Sequence, residues 1–277
     1  MAEALKKRRR FNFRGSLCMP YAIFMALFVV FPLTLIFYYA FTDTDGHFSF
    51  SNWGTVFTSA ENWKVIGMTF AIAAITTVIC LLIAYPIAYL LSNKKYNKNK
   101  VLVYIFLLPM WINFVIRTIG LKALVNFVTK SLFGFDITAT YPYAAIVIGM
   151  VYDYLPFAIL PLYNQMLKMD NNQIEAAADL GANPVQVFFK SVVPQSIPGI
   201  VSAFTMTFMP TMSSYVISDT LSEGKITLFG NYIYLDFANN LWHDGSFMAL
   251  IMLIIIAISM VLTRNSGKEE KEGGAAW

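Results

Sequence analysis

The apolar residues of this chain arrive in blocks about as long as a lipid bilayer is thick, and that limits what it can fold into. A helix needs about 20 apolar residues to cross the hydrocarbon, and six stretches have that length: residues 17–41, 68–91, 101–121, 141–167, 192–218 and 245–263. Four hold no charged residue, and the other two hold one each, Arg117 and Asp153. The composition, 57% hydrophobic and 13% charged over 277 residues, departs from soluble globular usage in the same direction. Lipid offers no partner to a bare peptide group, so segments of this kind cross as helices. The expectation is an all-α integral membrane protein with about six spans in one bundle. It leaves no room for a soluble catalytic domain.

Lysine and arginine set the orientation. Fifteen of the 20 fall on one side of the bundle. They are Lys6, Lys7, Arg8, Arg9, Arg10 and Arg14, then Lys94, Lys95, Lys98 and Lys100, then Lys168 and Lys190, and finally Arg264, Lys268 and Lys271. The opposite loops hold Lys64, Lys122, Lys130 and Lys225. The positive-inside rule therefore places both termini in the cytoplasm. The expected organisation is a basic cytoplasmic segment 1–16, a transmembrane domain 17–263 and a polar tail 264–277. A basic start before an apolar run could also open a secretory signal peptide. Here the run is about twice the usual length and no small-x-small site precedes Thr42, so the first span is expected to stay.

Prolines argue for moving parts. Ten of the eleven lie within the spans, including the pairs Pro156/Pro161 and Pro198/Pro210. Each removes a helix hydrogen bond, which is tolerated where packed neighbours or a watery cavity meet the freed carbonyl. Kinked helices around a cavity suit a transporter better than an anchor.

The polar turn between the fourth and fifth spans reads as two short helices in tandem. Asp170 and Gln173 have capping-box spacing, Glu175-Ala176-Ala177-Ala178 is strong helix-forming sequence, and Gly181 supplies a left-handed stop. Asn183 then caps a second helix with Pro184 at its first position and Gln186 three residues on. A self-capped helical hairpin between spans is built to be grasped by another protein.

This hairpin, residues 168–191, resembles the EAA loop of permease subunits of binding-protein-dependent ABC importers: Glu175, Ala176, Ala177, Gly181 and Pro194 fit its pattern, while Ser191 and Val193 replace the usual Ile and Leu. Leu108-Pro109-Met110-Trp111-Ile112-Asn113 through Arg117 is similar to the third-span signature of spermidine/putrescine permeases of the PotB type. Gly149 to Tyr163 is similar to their fourth span, and Ser218-Asp219 and Gly230-Asn231 to later landmarks. The resemblance implies the type I importer permease fold with a cytoplasmic coupling hairpin, in the bacterial plasma membrane. It implies as partners a second homologous permease, two copies of a cytoplasmic ATP-binding subunit and an extracytoplasmic polyamine-binding protein. The ATPase-coupling residues would be Glu175, Ala176, Ala177, Gly181 and Pro194.

The residues themselves bear on the substrate. Asp153 sits mid-span, where a carboxylate costs about 2.5–3.5 kcal/mol on insertion scales, so it must face a cavity or a partner. Tyr152 and Tyr154 flank it, and Trp111, Asn113 and Arg117 lie on the neighbouring span. An acid among aromatic faces suits a polycation. The same carboxylate could instead pair with Arg117. Asp219 and seven other acids outnumber four lysines on the outer side. The expected substrate-pathway set is Asp153, Tyr152, Tyr154, Trp111, Asn113, Arg117 and Asp219.

Other readings fare worse. Glu223-Gly224-Lys225-Ile226 lacks the upstream glycine and the hydroxyl of a phosphate-binding loop, so any ATP hydrolysis must come from a partner. Cys18 and Cys80 lie in or beside spans, and His47 and His243 lack companions at ligand spacing, so no metal or cofactor is expected. An importer for another solute, such as an iron complex, an anion or a thiamine-like cation, uses the same frame. An autonomous channel or ion-coupled transporter would be expected to show internal repeats or several intramembrane charges.

Overall fold

The computed structural model describes residues 19–43, 45–93 and 101–266. The basic segment 1–16, Cys18, the cluster Lys94, Lys95, Lys98 and Lys100, and the tail beyond residue 266 lie outside the described residues. Within them the chain is helical with no strand; one isolated antiparallel bridge joins Thr42 to Phe48.

The spans follow the apolar blocks. Helix α1 (Met19–Ala40) contains a π turn at Ala26–Val30 just ahead of Pro32, which widens the coil where a proline ring would crowd the preceding turn. A short α2 (Ser51–Thr58) leads into α3 (Ala60–Ser92), the longest helix. Where one continuous third span was expected at 101–121, the structure has two helices. They are α4 (Val101–Trp111) and α5 (Phe114–Phe133), bent by 97°. The cause is local: Pro109 sits in a closing 3-10 turn, Ile112 is extended, and the Asn113 side chain accepts from the N–H groups of Val115 and Ile116. That cap starts a new helix in a new direction.

After a short turn of helix, α6 (Ile137–Thr140), come α7 (Pro142–Met166), the hairpin helix α8 (Asn171–Asp179) and α9 (Pro184–Ser213). The fifth span, expected to run to residue 218, stops at Ser213 because Ser214 is extended. The chain restarts as α10 (Val216–Ser222), turns at left-handed Glu223 and Gly224, and continues as α11 (Phe229–Ala238) and α12 (Trp242–Ser266).

Helices α3, α7 and α9 form the centre, and α12 carries α11 and the second half of α1. Bilayer lipid is as apolar as leucine, so close packing and interhelical hydrogen bonds, not water exclusion, hold such a bundle. The contact faces are accordingly small: Ala73, Cys80, Ala84 and Ala88 on α3, Ala145 and Ala158 on α7, and Ala203 on α9 are buried. At Gly199 a Cβ would stand 2.6 Å from the Gln165 Cβ, so α9 meets α7 at a distance only glycine permits. Polar links cross the same faces, from the Tyr154 hydroxyl to the Pro210 carbonyl at 3.3 Å, between Tyr85 and Ser196 at 2.9 Å, and from the Gln165 amide to the Gln195 carbonyl at 2.9 Å. Each is worth roughly 0.6 kcal/mol in a bilayer. At the bundle end opposite the α7–α9 hairpin Glu223 gathers Lys122 (3.2 Å), Lys225 (3.8 Å) and the Thr138 hydroxyl (3.4 Å), tying α5, α6 and the α10–α11 turn together.

Candidate functional site

The hairpin between α7 and α9 stands clear of the bundle. Asp170 caps α8 by accepting from Asn172 N–H at 2.9 Å, rather than through the box with Gln173 that its spacing suggested. Gly181 is left-handed at φ +83°, and Asn183 and Gln186 form a reciprocal capping box around Pro184. Glu175, Ala176 and Gly181 are exposed and Ala177 is half-buried. Apolar side chains that a lone soluble surface would hide are also exposed here: Leu180 at 89%, and further along Val185 and Phe189. Pro194 lies further along, where a π turn at Phe188–Val192 passes into the regular part of α9. The Gln195 side chain accepts from Asp170 N–H at 2.9 Å, so the base of the hairpin is tied to the start of the fifth span.

The mid-span carboxylate has no exposed surface. Asp153 Oδ1 takes Arg117 Nε–H in a buried ion pair, and Oδ2 accepts from the Thr118 hydroxyl at 2.9 Å. Arg117 also donates from each terminal nitrogen to a backbone carbonyl, Pro109 O at 2.8 Å and Asp153 O at 3.3 Å, and its guanidinium lies 5.6 Å from the Tyr152 ring centre. The bend at Asn113 is what turns α5 so that Arg117 reaches across to α7. Arg117, Asp153, Tyr152 and, through that bend, Asn113 therefore form one constellation. Tyr154 is buried on the α9 side, Trp111 points away with 81% exposure, and Asp219 lies exposed on α10 with no ion pair to a described residue.

Residues 84–266 match the family described as binding-protein-dependent transport system inner membrane component. The chain belongs to this family. Among its relatives is the spermidine/putrescine transport system permease protein PotB of Haemophilus influenzae, 30% identical over 262 residues that cover 88% of this chain and 90% of that protein. PotB of Escherichia coli is 29% identical over 72% of this chain and 76% of its own. Of solved structures, a bacterial ABC transporter that imports the acidic polysaccharide alginate superposes with a TM-score of 0.70 at 15% identity, covering 91% of this chain and 95% of the other. An inward-facing methionine ABC transporter gives 0.57 at 18% identity over 74% and 94%. At such identities the superpositions establish the fold. This ABC-importer permease is a multi-pass membrane protein and a transport subunit rather than an enzyme.

Sequence reasoning missed three parts of the permease. Thr118 completes the Asp153 carboxylate from one residue beyond the arginine, a position whose orientation only the α5 bend reveals. The Pro109 carbonyl is a backbone partner that no side-chain pattern signals. Tyr215 and Tyr234 stack with ring centres 4.7 Å apart and planes 13° from parallel, although 19 residues separate them. The signal available for that pair was the Ser213-Ser214 interruption after Pro210.

Proposed function

We propose that this permease is the membrane subunit of an ATP-driven importer of polyamines, spermidine and putrescine, and forms half of the translocation pathway beside a second homologous permease. The observation that carries the substrate is the kinship to PotB along nearly the whole of both chains. The alginate and methionine transporters use the same frame for other cargo, so the frame alone selects nothing. Two copies of a cytoplasmic ATP-binding subunit supply the energy and an extracytoplasmic binding protein delivers the amine. A solved alginate transporter with a substrate-loaded periplasmic protein supports an assembly of that kind.

Coupling to the ATPase falls to residues 168–191, with Glu175, Ala176, Ala177 and Gly181 in the contact and Leu180 as its apolar anchor. The 89% exposure of Leu180 on a charged, capped hairpin supports a protein partner over lipid. The bias of basic residues puts this hairpin and both termini in the cytoplasm. We assign Asp153 and Arg117 to a structural pair that fixes α5 against α7.

Uptake of labelled spermidine and putrescine, in cells with and without the gene, tests the substrate. Gene-dependent uptake competed by unlabelled polyamine is expected. Uptake unchanged by deletion, with another solute lost instead, would replace polyamine as cargo. Orientation is tested with single cysteines: Asn172→Cys should resist an impermeant thiol reagent in intact cells, and Asn239→Cys, at an exposed position on the turn between α11 and α12, should react. The reverse pattern would invert the bundle and remove the coupling role.

A further inference from the structure

The break between α9 and α10 lies deep in the membrane. Ser213, Tyr215, Gly230 and Tyr234 line one groove of about 470 Å³ with Met252 and Ile256 of α12. The α12 residues along it run from Ala249 to Ile256, 7 to 14 residues into that helix, or about 10–21 Å below its outer end at 1.5 Å per residue. Against a hydrocarbon core of about 30 Å, α11 therefore starts near mid-depth and climbs back to the outer face beside α12. Irregular backbone at that depth persists where it is buried in protein or lines a watery cavity.

This break is rigidly built. The Asn231 carbonyl oxygen accepts from the Ser218 hydroxyl (2.6 Å) and Leu228 N–H (3.2 Å), and its amide donates to the Tyr215 carbonyl (3.3 Å). Thr69 of α3 accepts the first N–H of α11, from Phe229, at 2.9 Å. A Cβ at Gly230 would lie 2.7 Å from the Ser213 carbonyl oxygen, so α11 seats against the broken backbone itself. The product of this clamp is the stacked Tyr215–Tyr234 pair, with the rings 38% and 52% exposed. Asp219 follows Tyr215 by one helical turn, on the same face of α10 and about 6 Å further out.

We propose that Tyr215, Tyr234 and Asp219 are this subunit's share of a polyamine subsite in the pathway: one ammonium group rests on the tyrosine faces while the next, a few methylenes along, meets the Asp219 carboxylate. The proposal rests on the polyamine reading above. The ring faces supply a cation–π surface of the kind that holds desolvated ammonium groups, and the carboxylate supplies charge that the buried, already paired Asp153 does not.

The test uses the complete transporter in proteoliposomes with its binding protein. Tyr215→Leu, Tyr234→Leu and Asp219→Asn should each lower the maximal spermidine rate roughly five- to tenfold, as expected for loss of one desolvated cation contact. Half-saturation, set by the binding protein, and stimulation of ATP hydrolysis by the loaded binding protein should stay at wild-type levels. Tyr215→Phe and Tyr234→Phe should transport normally. In a Cys18→Ser/Cys80→Ser background, Tyr234→Cys should react with an impermeant cationic thiosulfonate, and spermidine should slow the reaction. Unchanged maximal rates in the leucine variants, a Tyr234→Cys inert to the aqueous reagent, or loss of transport and ATPase stimulation together would each overturn the subsite. A wild-type transporter that moves neither amine would instead remove the parent reading, which separates the two failures.

Discussion

Replacing Asp153 by Asn tests whether that carboxylate is part of the scaffold. The amide keeps an acceptor for Arg117 Nε–H and can donate to the Thr118 oxygen, which already has an outlet for its own proton at the Phe114 carbonyl (2.9 Å). The hydrogen-bond geometry therefore survives, and what goes is the negative charge opposite a guanidinium buried in protein. Removing one partner of a buried pair costs about 3–5 kcal/mol, and the retained geometry places this change at the lower end. About 3 kcal/mol is more than a hundredfold in equilibrium and a large part of a net stability of about 5–15 kcal/mol. Asp153→Asn should thus deplete the permease from the membrane and lower the apparent Tm of the extracted complex. Adding Arg117→Gln removes the stranded charge and should restore much of both. Immunoblots of membranes, thermal shift and uptake are to be read together in the single and double variants. Normal protein level and assembly with uptake lost, and no rescue by Arg117→Gln, would show that Asp153 serves the substrate and would refute the structural pair.

Three further outcomes follow from the geometry. Gly181→Val forces a β-branched residue to φ +83° and should strain the hairpin by about 1 kcal/mol or more; with Glu175→Lys it should reduce co-purification with the ATPase and uptake while membrane insertion is kept. Gly199→Leu drives a side chain into Gln165 and should cost about 1–3 kcal/mol as overpacking, seen as lower detergent stability at unchanged topology. Burial first, and the neighbouring Asp244 carboxylate second, push Asp236, near the end of α11, up to about 6. Because that lies above its unfolded value of about 3.9, the stability this group contributes is present below that value and lost as pH rises through 6. Asp236→Asn should therefore raise the Tm at pH above about 7, with the gain shrinking toward pH 5; a gain independent of pH would point away from the carboxylate.

Much of the fold is legible in the sequence because lipid imposes a length and a periodicity that need no tertiary knowledge. The hairpin is legible for a similar reason: Asn183, Pro184, Gln186 and Gly181 act on backbone within a few residues of themselves. The breaks are not. Hydropathy averaged over the length of a span passes over Asn113 and over Ser213-Ser214, so it counts one span where the backbone turns, and Asn113 reads as a polar residue within a span rather than as a cap. The Arg117–Asp153 pair could be raised from sequence as one of two options, but 36 residues separate the partners, and the choice depends on a 97° bend that hydropathy does not register. Helix α11 was invisible as an element because its apolar residues are too few to span and its place is fixed by contacts from Thr69 and Ser213, which are distant in the chain.

The hairpin's second helix and the fifth span are a single object. Helix α9 runs from Pro184 to Ser213, 30 residues, through the π turn at Phe188–Val192, or about 45 Å at 1.5 Å per residue. A push delivered at the capped end therefore reaches mid-membrane along one helix, with no loop between. Pivoting such a rod by about 10° about one end displaces the other by about 8 Å on that length. The tethered stretch at Ser214 and Tyr215 is where that arc must be taken up. A stroke made at the hairpin would thus be felt first at the place where two tyrosines lie face to face.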